Sequence, residues 1–223
     1  MEMETTALRP TEPDAELALR CRAGEPDAFR AVMRRYNRRL FRIAYSILKD
    51  ADEAEDAVQD TYLRAFQSLD QLQDPARFPT WLATIAVNEA RGRLRRARRT
   101  TPLDDAMMQA EIVPMFTEPS ASPERLAESG ELRRVLERAI DDLPGPFRTV
   151  FMLRGVEGFD VAETATCLGI PEATVKTRFH RARALLRQSL QSEATDALPA
   201  LYPFDGERCE RIVAAVMRQL SLG

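Results

Sequence analysis

Along most of the chain the apolar residues recur at intervals of three and four, and no stretch alternates apolar with polar positions as a half-buried strand would. The pattern predicts an all-α protein. Asp14 is placed to cap a short helix that ends near Gly24, and Pro26 opens a long one. In that helix Phe29, Met33, Tyr36, Leu40, Ile43 and Ile47 form one stripe. A turn near residues 49–52 leads to a third helix reaching about Leu69, with Ala54, Val58, Tyr62, Ala65 and Leu69 inward. Residues 73–79 (QDPARFP) read as a loop because two prolines interrupt them. A fourth helix is predicted over 80–98, carrying Trp81, Leu82, Ile85, Ala86 and Asn88. Residues 131–142 form another that stops at LPGP, and 147–154 a further one with Phe147, Val150, Phe151 and Leu153 inward. Residues 207–220 make an amphipathic helix, with Ile212, Val213, Val216, Met217 and Leu220 on one side.

The stretch 160–190 has the strongest local signals. Asp160 with Glu163 makes a capping-box pattern, Gly169 stands where a helix needs a left-handed residue to stop, and Pro171 suits a first helical turn. Val175, Phe179, Ala182 and Leu186 share one face of the second helix. The opposite face carries Lys176, Thr177, His180 and Arg181, flanked by Arg178, Arg183 and Arg187. This is the spacing of a helix-turn-helix, whose second helix can enter a DNA major groove. Lys176 and Arg181 can donate to guanine or phosphate, Thr177 and His180 can bond or stack, and the flanking arginines can orient the helix on phosphates. An ordinary helical hairpin with a solvated basic face remains the alternative.

Composition narrows the class. The 223 residues can hold one large or two small domains, and the formal charge of −3 excludes a globally basic nucleic-acid coat. Charge is segregated instead: residues 50–60 hold six acids and no base, and 91–99 hold six arginines and no acid. Such segregation suggests separate partners for separate surfaces. The chain has no run long enough for membrane insertion, and the opening MEMETTALRP lacks a signal-peptide core. Cys21, Cys167 and Cys209 are scattered without a CxxC pair, so disulfide and zinc chemistry are not expected and a reducing cytoplasm fits. With His180 the only histidine and no nucleophile–base pair or phosphate loop in view, the sequence predicts no enzyme, no cofactor and no metal.

The segments AEDAVQDTYLRAF, FPTWLATIAVNEARGRLRR and LPGPFRTVFMLRGVEGFDVAETATCLGIPEATVKTRFHRARALL resemble the extracytoplasmic-function (group 4) sigma factors of bacterial RNA polymerase. The resemblance spans about 14–190, in the family's order. It implies two small helical domains joined by a flexible linker: a disordered N-terminus at 1–13, a core-polymerase and −10 binding domain at 14–99, an acidic linker with four prolines at 100–130, a helix-turn-helix −35 binding domain at 131–191, and a C-terminal extension at 192–223.

By the same resemblance Asp56, Gln59 and Asp60 match the acidic helix that docks on the clamp helices of the polymerase β′ subunit; otherwise they are a solvated acidic face. The loop and fourth helix match the segment that captures the −10 element. There Phe78 and Trp81 would supply aromatic surface, Asn88 an edge reader, and Arg91, Arg93, Arg95 and Arg96 a phosphate track. Trp81 as a core residue and Asn88 as a plain surface residue stay open. Lys176, Thr177, Arg178, His180 and Arg181 fall on the −35 reader. Expected partners are core polymerase through its β′ clamp helices and β flap, promoter DNA, and an anti-sigma factor. The linker is either threaded through the polymerase or a simple tether. The last helix either covers apolar surface on its own domain or serves a partner. A stand-alone helix-turn-helix regulator is the rival reading; it leaves the acidic helix and the 81–99 segment unexplained.

Overall fold

The computed structural model describes residues 12–100, 131–190 and 206–220, so the expected linker and most of the expected disordered N-terminus lie outside it. Among the described residues are nine α-helices and no strand: α1 (Asp14–Arg22), α2 (Pro26–Leu48), α3 (Ala51–Gln67), α4 (Phe78–Thr100), α5 (Glu131–Asp141), α6 (Gly145–Phe151), α7 (Val161–Leu168), α8 (Glu172–Leu190) and α9 (Gly206–Gln219).

Local chemistry explains most boundaries. Pro26 occupies the first turn of α2, and Lys49 ends that helix in a left-handed conformation (φ 57°). Asp50 then caps α3, its Oδ1 accepting from the backbone N–H of Asp52 and Glu53 at 2.9 Å each. Three boundaries differ from expectation. Pro13, not Asp14, holds the cap position of α1, and the Asp14 carboxylate instead meets Arg35 Nη1 at 2.7 Å. Helix α3 stops at Gln67, and Leu69–Gln71 is a separate 3-10 turn. Helix α4 starts at Phe78, so Pro79 lies inside its first turn, where a missing N–H costs nothing.

Helix α6 is also shorter than its hydrophobic pattern. It widens into a π turn, Met152–Val156, in which the Glu157 N–H donates to the Met152 carbonyl at 2.9 Å. Gly155 sits close against the Phe151 ring there: a Cβ would lie 3.0 Å from it, so a larger residue would press on that side chain. The turn aims Glu157 at α2.

Helices α1 to α4 enclose one core, built on Leu17, Met33, Leu40, Tyr62, Phe78 and Leu82. Helices α5, α6 and α8 enclose another, built on Leu136, Ile140, Met152, Ala182 and Leu186. A third cluster joins the two: Ile43 of α2 and Ala83 and Val87 of α4 pack on Val150, Leu153, Phe159, Leu168 and Val175. Helix α4 is therefore apolar on two sides, which explains its run of Leu82, Ala83, Ile85, Ala86 and Val87. Helix α9 does not cover the helix-turn-helix unit that precedes it. It returns to α2 and α3, where Ile212, Val213, Val216 and Met217 are buried in the first core.

Candidate polymerase and nucleic-acid interfaces

On α3 the acids at 53, 56 and 60 share one side, at spacings of three and four residues. Asp56 is exposed, while Gln59 and Asp60 are half-buried. Arg93 of α4 reaches across to this side. Its Nη2 donates to Asp60 Oδ2 at 2.6 Å, and its Nη1 to Glu53 Oε2 at 2.9 Å and Asp56 Oδ2 at 3.3 Å. Burial alone would lower the proton affinity of this guanidinium, but the bonds to Asp60 and Glu53 outweigh it and raise the pKa. The acidic run and one member of the arginine run, far apart in sequence, thus form a single charge cluster.

The other residues assigned to the −10 element are placed unequally. Phe78 is fully buried, its ring 5.9 Å from that of Tyr36 and 6.1 Å from that of Trp81, so it supports the segment from beneath and offers no face to a base. Trp81 is half-buried against the first core. Asn88, Arg95 and Arg96 are exposed along α4. Arg91 is half-buried, and its Nη1 donates to the Leu168 carbonyl at the end of α7, 2.8 Å away. Burial, reinforced by the nearby charges of Arg178 and Arg95, lowers the Arg91 pKa.

The helix-turn-helix has the local geometry its sequence dictates. Asp160 Oδ1 accepts from the Glu163 N–H, and Glu163 Oε2 accepts from the Asp160 N–H, both at 2.8 Å. Gly169 turns the chain at φ 63°. In α8 Val175, Ala182 and Leu186 are buried, while Lys176, Thr177, His180 and Arg181 are exposed and Arg178 is half-buried. Phe179 stacks 6.1 Å from Phe151, with the Arg154 and Arg183 guanidinia over its ring. One face of α8 is therefore pinned by packing, and the other presents the four polar side chains together.

Residues that the sequence reading did not single out hold the two units together. Glu157 accepts from Arg39 Nε and Arg42 Nη1, both at 3.3 Å, and both the Glu157 and Arg42 side chains are buried. Burial raises the Glu157 pKa, and the two guanidinia only partly offset it. Arg148 Nε donates to the Ser46 carbonyl at 2.6 Å, and its Nη1 to Asp141 and Leu143 at 2.9 Å each, so it ties the ends of α2 and α5. Thr80 Oγ1 donates to Glu163 Oε1 at 2.8 Å, giving the capping glutamate a second task. Cys167 packs against Thr80 and Thr84, and burial pushes its thiol up to about 11. A lone acid between apolar residues (Val156–Glu157–Gly158–Phe159) was the one sequence signal for this seam.

No helix among the described residues is long and apolar enough to cross a membrane. The family Sigma-70 region 2 matches residues 32–100, and Sigma-70 region 4 matches 133–186. The chain is 33% identical over 171 residues to the ECF RNA polymerase sigma factor SigW of Bacillus subtilis, covering 75% of this chain and 91% of that one. It is 31% identical over 185 residues to the RNA polymerase sigma-H factor of Pseudomonas aeruginosa, covering 81% and 95%. Among solved structures it is similar to CnrH in complex with the cytosolic domain of CnrY, with a TM-score of 0.54 and 28% identity over 82% of this chain and 99% of that one. The sigma factor RpoE bound to the anti-sigma factor NepR, from Bartonella quintana, gives 0.53 and 26%, over 72% and 96%. The matched regions, their order and the helical architecture agree: the chain belongs to the extracytoplasmic-function sigma factors of RNA polymerase.

Proposed function

We propose that this sigma factor docks on core RNA polymerase through the acidic side of α3, captures the −10 element along α4 and reads the −35 element with α8. It directs initiation in the cytoplasm, and the polymerase carries out the chemistry. The observation that carries the reading is the placement of an open acidic helix face and an exposed basic recognition face on opposite units of one chain. Carboxylates in a row complement a basic helical surface and steer encounter. Asn88, Arg95 and Arg96 offer edge-reading and phosphate-binding groups on the exposed length of α4. An anti-sigma factor belongs to the reading, since the solved relatives were captured with CnrY and NepR.

In this arrangement α4 is packed against the helix-turn-helix unit, Arg91 donating to the Leu168 carbonyl at the end of α7 at 2.8 Å. The labels −10 and −35 put the elements about 25 base pairs apart, roughly 85 Å of duplex at about 3.4 Å per pair. Helix α4, with 23 residues, is only about 35 Å long. Reading both elements at once therefore requires the units to separate, and the packed arrangement is the resting form. Run-off transcription with reconstituted polymerase on a genomic library tests the proposal. Discrete transcripts sharing −35 and −10 motifs are expected, and their absence from a polymerase preparation active with another sigma factor would reject it.

A further inference from the structure

The arginines assigned to the −10 backbone differ in their exposure to solvent. Arg95 and Arg96 are exposed, whereas the Arg93 side chain is 18% exposed and hydrogen-bonded to Glu53, Asp56 and Asp60. Those three carboxylates are 53%, 57% and 40% exposed, so a basic surface can approach them from solvent while Arg93 holds them from behind. One cation among three anions leaves the cluster negative, yet part of its attraction is already satisfied within the chain. Arg93 also stands three residues before Arg96 on α4, which makes the two neighbours on the helix surface.

We infer that Arg93 is a positioning residue passed between two partners: it holds the α3 carboxylates in the free chain, and turns to −10 phosphates once those carboxylates dock on the polymerase. The inference rests on the docking and −10 assignments proposed above. Its physical basis is competition. A basic helix that takes the three carboxylates removes hydrogen bonds from a half-buried guanidinium, and the phosphates along α4 are the replacement anions at hand. Coupling of this kind is reciprocal, so docking strengthens strand capture, and removing Arg93 from the carboxylates strengthens docking.

The test is Arg93→Gln in the full chain, with two readouts: affinity for core polymerase, and affinity of the resulting holoenzyme for a single-stranded −10 oligonucleotide. The proposal expects opposite signs. Core affinity rises about fivefold or more, the low end of coupling between linked sites, while oligonucleotide capture falls. The gain in core affinity disappears when Asp56→Asn and Asp60→Asn are already present. Should Arg93→Gln lose helical content by circular dichroism, Arg93→Lys serves in its place, with the same signs and smaller changes because an ammonium cannot span three carboxylates. Loss of both affinities together, or unchanged core affinity, overturns the proposal. A wild-type chain that fails to bind core polymerase overturns the docking assignment itself, and this proposal with it.

Discussion

Ala83→Asp isolates the seam between the two units. Ala83 is fully buried in the cluster that joins α4 to the helix-turn-helix unit, among Ile43, Val87, Val150 and Leu168. The adjacent Leu82, Ile85 and Ala86 face the other way, into the first unit's own core. An aspartate at 83 is thus solvated when the units part and buried in an apolar seam when they close. Burying a carboxylate without a partner costs several kcal/mol; about 4 kcal/mol corresponds to a factor of roughly 1,000. A seam closed 100:1 would become about 10:1 open, while the helix-propensity cost within α4 is below about 0.7 kcal/mol. Small-angle scattering should show a larger radius of gyration, with helical content unchanged. Core polymerase should bind the variant more tightly, because the competent open form no longer has to be recruited from a minor population. An unchanged radius of gyration in a fully folded variant would refute the claim that this cluster holds the units together.

Three further predictions follow from the same geometry. Arg181→Ala should relax specificity at one −35 position at a cost of about 1–3 kcal/mol, whereas Lys176→Ala should weaken all −35 variants alike and make the salt dependence shallower; binding to every single-base variant at several salt concentrations separates them. Because the Glu157 pKa is raised by burial, the packed form holds that proton more tightly than an open form in which Glu157 is solvated. Packing should therefore be favoured as pH falls through the raised value towards the usual glutamate value of about 4.5, and that advantage lost as pH rises through the raised value; the closed fraction measured by energy transfer should show this trend, and Glu157→Gln should flatten it. Ile212→Ala removes a fully buried contact of α9 and should cost about 2–5 kcal/mol of its docking, seen as loss of amide protection over 206–219 with α7 and α8 unaffected.

What the sequence made legible was local or periodic. Asp160, Glu163 and Gly169 act on backbone groups within a few residues, and their geometry is as their spacing predicts. The stripes of α2, α3 and α8 mark buried faces because a 3.6-residue period needs no knowledge of the partner. Interactions between distant residues were not legible. Nothing in the 91–99 run distinguishes Arg93, bound to three acids, from the exposed Arg95 and Arg96. Nothing in FPTW tells that Phe78 is enclosed while Trp81 is only half-buried. Asp14 satisfies every local rule for a cap, yet Arg35, 21 residues on, takes its carboxylate. The tail helix was correctly read as amphipathic, but an apolar stripe does not name its host. Glu55 on α3, side chain 13% exposed, supplies the address by accepting from Arg211 at 3.1 and 3.2 Å.

The central claim is that one chain holds both promoter readers together when free and apart when at work. The most direct test is the distance between labels on exposed Gln71 of the first unit and exposed Gln188 of the second, in a chain with Cys209 replaced. It is measured free, and again bound to core polymerase and promoter DNA in a transcribing sample. A short distance is expected in the free chain and a lengthening by tens of ångströms in the complex, towards the roughly 85 Å between the two elements. A short distance that persists while the complex transcribes would contradict it.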